Sequence, residues 1–214
     1  MLVVRHVVVG PFAENTYLAA CSETGEALVI DPGGETERVI AMREPENFRV
    51  TRIILTHGHL DHVAGAADLK RSLGASLQIH QADRGWLDSL SVQAATFGFP
   101  FVGTPPVVDH FQEDGETFQV GKHQGRIIYT PGHTAGGCSV FFPEAKVLFT
   151  GDTLFAGSVG RTDLPGGDFT QLERSIRQKL FVLDDEVRFY PGHGERGFIG
   201  EERRENPFVG EQVV

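Results

Sequence analysis

Eight residues at positions 55–62, LTHGHLDH, hold three histidines and an aspartate directly after an apolar run. His57 and His59 are two apart, so in an extended chain they point to the same side. The same setting recurs downstream. IIY precedes TPGHT, which holds His133; VLF precedes TGDT, which holds Asp152; RFY precedes PGHG, which holds His193. Four strands would thus end in metal-ligand side chains beside glycine, whose backbone freedom lets loops converge.

The chemistry suits two divalent ions. His57, His59 and His133 would give three nitrogens to one ion. Asp61 and His62, at the start of a helix, would serve a second with His193, and Asp152 would bridge the two. Three or four protein ligands per ion leave room for water, the mark of a catalytic rather than a closed structural site. Two such ions would lower the pKa of a shared water from about 15.7 toward about 7. The expected product is a bridging hydroxide that attacks an ester, thioester or amide carbonyl, with no catalytic residue beyond the ligands. Zinc is the first expectation, with iron or manganese as alternatives, because all accept imidazole and carboxylate. His6, His80, His110 and His123 lack such neighbours and are expected to be structural or exposed.

The elements that must position these residues follow from the apolar patterning. Strands are expected over 2–9, 16–20, 27–30, 50–55 and 75–80, then over FQV, RIIYT, CSVFF, KVLFT and VRFY. Helices are expected over 36–43, 63–73 and 169–183, the last with Leu172, Ile176 and Leu180 near one another and Ile176 and Leu180 facing the core. The order of strands, helices, strands, helix, strand suits helices covering two stacked sheets. The segment ATFGFPFVGTPPVV, with Phe97, Phe99 and Phe101, reads as a loop that either packs on the core or walls a ligand site. The charged tail from Glu201 breaks at Pro207.

Composition bounds the rest. The 214 residues are 40% hydrophobic and carry a formal net charge of -10. That is enough for one domain spanning 1–214. The acidity disfavours nucleic-acid binding, and no basic amphipathic stretch or membrane anchor is present. A cytoplasmic location is expected. The two cysteines, Cys21 and Cys138, make no disulfide framework and read as buried small side chains.

The motif set resembles the metallo-β-lactamase fold superfamily. THGHLDH matches its THxHxDH signature, and PGHT, TGDTLF and YPGHG match its later ligand motifs in order. The resemblance covers nearly the whole chain. It implies an α+β fold, a four-layer αββα sandwich with a dinuclear site at one edge, and the same seven ligands in the same two sets. Within the superfamily, ENTYL, GDTLFAGSVGRTDLPGGD and YPGHGERGFIGEERRENPF resemble glyoxalase II, the hydroxyacylglutathione hydrolases, in their short bacterial form. That implies a small-molecule thioester substrate derived from glutathione, such as S-lactoylglutathione.

Two departures stand out. Too few residues follow His193 for the C-terminal helical domain of the longer enzymes. Arg161 and Asp163 stand where those enzymes place a glutathione-binding lysine and tyrosine. They are candidate substrate contacts, or equally a pair that braces the loop. A mononuclear-iron persulfide dioxygenase of the same fold, which shares GRTD, is the main alternative; a lactonase or β-lactamase is another.

Overall fold

The computed structural model describes residues 1–98 and 103–213. Phe99 and Phe101 lie outside the described residues. The first sheet runs in chain order: β1 (Leu2–Val9), β2 (Glu14–Cys21), β3 (Glu26–Ile30), β4 (Arg49–Ile54), β5 (Ser76–His80) and β6 (His110–Gln112). It is antiparallel through β3 and parallel from β3 to β6. Parallel neighbours require crossovers, and each crossover here carries helix: α1 (Thr36–Ala41), then α2 (Leu60–Val63) with α3 (Ala66–Leu73), then α4 (Arg84–Asp88) with α5 (Leu90–Thr96).

The second sheet is built from β7 (Thr117–Val120), β8 (His123–Tyr129), β9 (Cys138–Phe142) and β10 (Val147–Gly151). A small hairpin, β11 (Leu154–Phe155) and β12 (Ser158–Val159), stands apart. The sheet is completed by β13 (Arg188–Pro191) and β14 (Gly197–Phe198), giving the order β14-β13-β10-β9-β8-β7. Between β12 and β13, α6 (Phe169–Ser175) runs on into a π-helical turn over Ile176–Leu180, and α7 (Ile199–Glu205) follows β14.

Strand periodicity sorts side chains into layers. On β2, Leu18 and Ala20 pack under the helices with Val39, Ala66 and Leu69, while Tyr17 and Ala19 face the second sheet. On the second sheet, Val140, Phe142 and Phe149 face inward, while Phe141, Leu148 and Phe189 meet Leu172, Ile176, Leu180 and Ile199. Both faces of both sheets are covered, which is the expected four-layer αββα sandwich. It also explains why the strands read as continuous apolar runs rather than alternating ones.

The direction of the strands gathers the site. β10 and β13 are parallel, and β8 lies two antiparallel steps from β10, so all three point the same way. Their C-terminal ends deliver His133, Asp152 and His193. In the first sheet the parallel pair β3 and β4 delivers Asp31 and the His57–His62 loop.

Two expectations are corrected. The helix over 63–73 is two helices, broken where the amide of Gly65 donates to the Pro32 carbonyl at 2.9 Å. Asp61 and His62 thus lie on α2, separate from α3. The segment from Ala95 is helical at its start, and Phe97 closes α5. The charged tail opens with α7, which ends at Glu205, ahead of the expected break at Pro207. Among the described residues, no helix is long and apolar enough to cross a membrane.

Candidate metal centre

His57, His59 and His133 converge as expected. Each offers one ring nitrogen, and these nitrogens lie within 4.8 Å of one another. His133 Nε2 faces His59 Nδ1 at 2.9 Å. Asp61, His62 and His193 make a second such group. His193 Nε2 lies 3.2 Å from Asp61 Oδ2 and 3.3 Å from His62 Nε2. Asp152 stands between the groups: Oδ2 is 3.6 Å from both His133 Nε2 and His193 Nε2, and Oδ1 is 3.4 Å from His62 Nε2. Gly192 permits this approach, because a Cβ there would collide with Asp152 Oδ1 and the His62 ring.

The donor set fits divalent cations. His57 Nε2, His59 Nε2 and Asp152 Oδ1 are buried without a hydrogen-bond partner. Buried polar atoms normally find one. Nitrogen lone pairs and a carboxylate turned inward together are the arrangement a cation completes.

Partners behind the rings fix their tautomers, as is usual for metal-ligating histidines. His133 Nδ1 donates to the Arg161 carbonyl at 2.7 Å, and His193 Nδ1 to the Phe12 carbonyl at 3.1 Å. His62 Nδ1 donates to Asp31 Oδ2 at 3.0 Å. Asp31 also accepts from the Thr56 amide at 2.7 Å and the Thr56 hydroxyl at 2.6 Å, and that hydroxyl lies 3.0 Å from His57 Nδ1. Asp31 therefore serves both halves of the centre. The sequence pattern missed it, since DPGG reads as a turn. Glu14 was also missed: it is fully buried beside His62, and burial raises its carboxyl well above the ordinary range.

The two halves differ electrostatically. Burial, reinforced by neighbouring rings, pushes His57 well below the ordinary histidine value and His59 down to about 3. Burial also opposes charge on His62, but Asp152 and Asp61 outweigh it and hold His62 well above the ordinary value. His193 is raised too: its bond to Asp61 and the charge of Asp152 overcome burial. Burial raises Asp152 and Asp61, yet His62 lowers both on balance.

Without metal, the carboxylates favour the protonated form of His62 and, against the opposing charge of His62, of His193, whereas ligation needs neutral rings. Metal binding is expected to release protons, and affinity to rise with pH until His62 is neutral. Calorimetric titration in buffers of different ionisation enthalpy checks this; identical heats in every buffer would contradict it.

Arg161 and Asp163 pair with each other. Both guanidinium contacts to the carboxylate are 2.7 Å, and both side chains are more than half exposed. The pair holds the Asp163 carboxyl down at about 2. The loop-brace geometry is therefore present, while the Arg161 carbonyl, not its side chain, orients His133. Both cysteines are buried and unpaired. His80 stacks on Tyr129 and His110 pairs with Glu116, and neither they nor His6 and His123 join a candidate metal group. Aromatic rings flank the ligands: Trp86 stands edge-on to His59 at 4.7 Å, and Phe155 to His193 at 6.3 Å.

The family model described as the metallo-beta-lactamase superfamily matches residues 9–193. The chain is 40% identical to the hydroxyacylglutathione hydrolase GloC of Haemophilus influenzae, over 95% of this chain and 96% of that protein. Among solved structures, the BLEG-1 B3 metallo-beta-lactamase is 32% identical with a TM-score of 0.89, covering 97% of this chain and 99% of that one. TTHA1623 in a di-iron-bound form is 35% identical with a TM-score of 0.86, covering 96% and 100%.

Proposed function

From the premise that this chain belongs to the metallo-β-lactamase superfamily and is a hydrolase, we propose that it cleaves thioesters of glutathione. The substrate is an S-2-hydroxyacylglutathione such as S-lactoylglutathione, and the products are the hydroxy acid and glutathione. The observation that carries this reading is the convergence of seven ligand side chains on two adjoining positions, in a chain 40% identical to a hydroxyacylglutathione hydrolase over nearly its whole length. We read residues 1–214 as one catalytic domain acting in the cytoplasm.

His57, His59 and His133 would hold one metal ion, Asp61, His62 and His193 the other, with Asp152 placed to serve both. When bound, divalent ions supply Lewis acidity and an activated water at neutral pH; zinc suits the set, and a di-iron-bound relative supports iron as an alternative. Asp31 holds His62 and the Thr56 turn in place. The Arg161 and Phe12 carbonyls keep the Nδ1 protons of His133 and His193 on the outer side of each ring, leaving both Nε2 atoms free to ligate. No side chain forms an acyl intermediate. Cys138, the one thiol close by, is 1% exposed and is held protonated by burial, which raises its pKa far above the ordinary thiol value.

Arg161 receives a glutathione carboxylate. Among the described residues its fork is engaged by Asp163 alone, and it reaches solvent, so a carboxylate can join or displace that partner. A charged hydrogen bond contributes roughly 1.5–3 kcal/mol, and exposure trims this toward the lower end. Arg161→Ala is expected to lower kcat/KM for S-lactoylglutathione by about tenfold, mainly through KM. Metal content should stay intact, because the carbonyl that orients His133 remains. Steady-state kinetics on this substrate and on a small uncharged thioester is the test. Equal losses on both would leave Arg161 as a loop brace only.

A further inference from the structure

We propose that Asp83 is a positioning residue for the three-histidine half of the centre and sets the metal affinity of that half selectively. This rests on the reading that His57, His59 and His133 hold a metal ion. Asp83 lies just before α4 and is fully buried. Its Oδ2 accepts from the Gly58 amide at 2.9 Å and from the Thr134 hydroxyl at 2.7 Å. Its Oδ1 accepts from the Gly136 amide at 2.6 Å.

The positions of these donors give the carboxylate its role. Gly58 stands between His57 and His59, and Thr134 directly follows His133. A single side chain therefore ties together the two loops that supply all three nitrogens, although His59 and His133 are 74 residues apart in the chain. The fit is close: a Cβ on Gly136 would meet the Asp83 carboxyl at 2.6 Å, and one on Gly58 would meet the Asp83 carbonyl at 3.0 Å. The other half is anchored elsewhere, on Asp31 behind His62, the Phe12 carbonyl behind His193, and Asn15, whose amide side chain donates to the Gly194 carbonyl at 2.9 Å.

Only a carboxylate satisfies all three donors. An amide turns an N–H toward either the Gly136 amide or the Gly58 amide, in whichever orientation it is placed. One peptide N–H then faces an amide N–H instead of an acceptor, which weakens the anchor the two loops share. Loosening a shell that orients metal ligands typically lowers affinity about 10–100-fold.

The test is calorimetric zinc titration of metal-free wild type and Asp83→Asn, beside melting curves of the metal-free and zinc-loaded forms. Wild type should take up two zinc ions. Asp83→Asn should bind one of them about 10–100-fold more weakly and the other unchanged, and the rise in Tm on adding zinc should shrink in step. A purely structural role would lower both melting curves equally and leave both affinities alone, which would overturn the proposal. Thr134→Val guards against a variant that fails to fold. It removes one donor, keeps the carboxylate, and should weaken the same single ion to a smaller degree. Thr134→Val that melts normally without metal and binds both ions like wild type would overturn the proposal as well. If wild type itself binds no zinc, the metal reading fails, and this proposal with it.

Discussion

Replacing Asp152 with alanine is expected to strip both metal positions and abolish hydrolysis. Its two oxygens reach His62, His133 and His193 at 3.4–3.6 Å, spanning the two ligand groups. Its Oδ1 is buried without a partner. In the proposed arrangement each of the other six ligands would serve one ion only. Losing this carboxylate also removes the charge that offsets two dications in a buried site. The loss should exceed the roughly 10–100-fold typical of residues behind the ligands. Asp152→Asn keeps the shape but not the charge, and should fail in the same direction. Metal analysis of each purified variant, beside its turnover, is the measurement; a variant that keeps its full complement of metal would contradict the shared role.

Asp31→Ala is expected to damage stability and site together. The side chain is 1% exposed and accepts from the Thr56 amide, the Thr56 hydroxyl and His62 Nδ1. Removing it leaves two buried donors and one buried ring without their acceptor. Breaking a buried charged network of this kind costs on the order of 3–5 kcal/mol. For a chain of this size that corresponds to a fall in Tm of roughly 6–20 °C. His62 would lose the partner that fixes its tautomer, so metal affinity should fall too. Melting curves with and without metal separate the two effects. A metal-free Tm within about 2 °C of wild type, equivalent to less than about 1 kcal/mol, would show that this carboxylate does not hold the loops.

The candidate ligands and their convergence were legible because the chain advertises these residues locally. Each follows an apolar strand, and the convergence of their loops is a consequence of the parallel run of β8, β10 and β13. The covered sheets were legible for a similar reason, since strands buried on both faces read as unbroken apolar runs. Asp31, Glu14 and Asp83 were not legible. What ties them to the site lies far off in sequence: Asp31 is 25 residues from Thr56, Asp83 is 53 from Gly136, and Glu14, though bonded to nearby Thr16, stands beside His62. No window of sequence contains both ends of such a bond. The Arg161–Asp163 alternatives stayed open in the sequence because side-chain pairing and substrate binding call for the same residue types. The part Arg161 plays behind His133 comes from its backbone carbonyl, an atom every residue has. The helices α4, α5 and α7 escaped because they are short, with mixed exposed and buried positions.

The measurement that bears most directly on the central claim is metal content combined with turnover on S-lactoylglutathione. Purified protein should hold two divalent ions per chain and hydrolyse this thioester. Activity should vanish when both ions are removed and return when they are restored. Protein that holds a single iron, consumes oxygen with glutathione persulfide and leaves S-lactoylglutathione intact would contradict the account and make the chain an oxygenase.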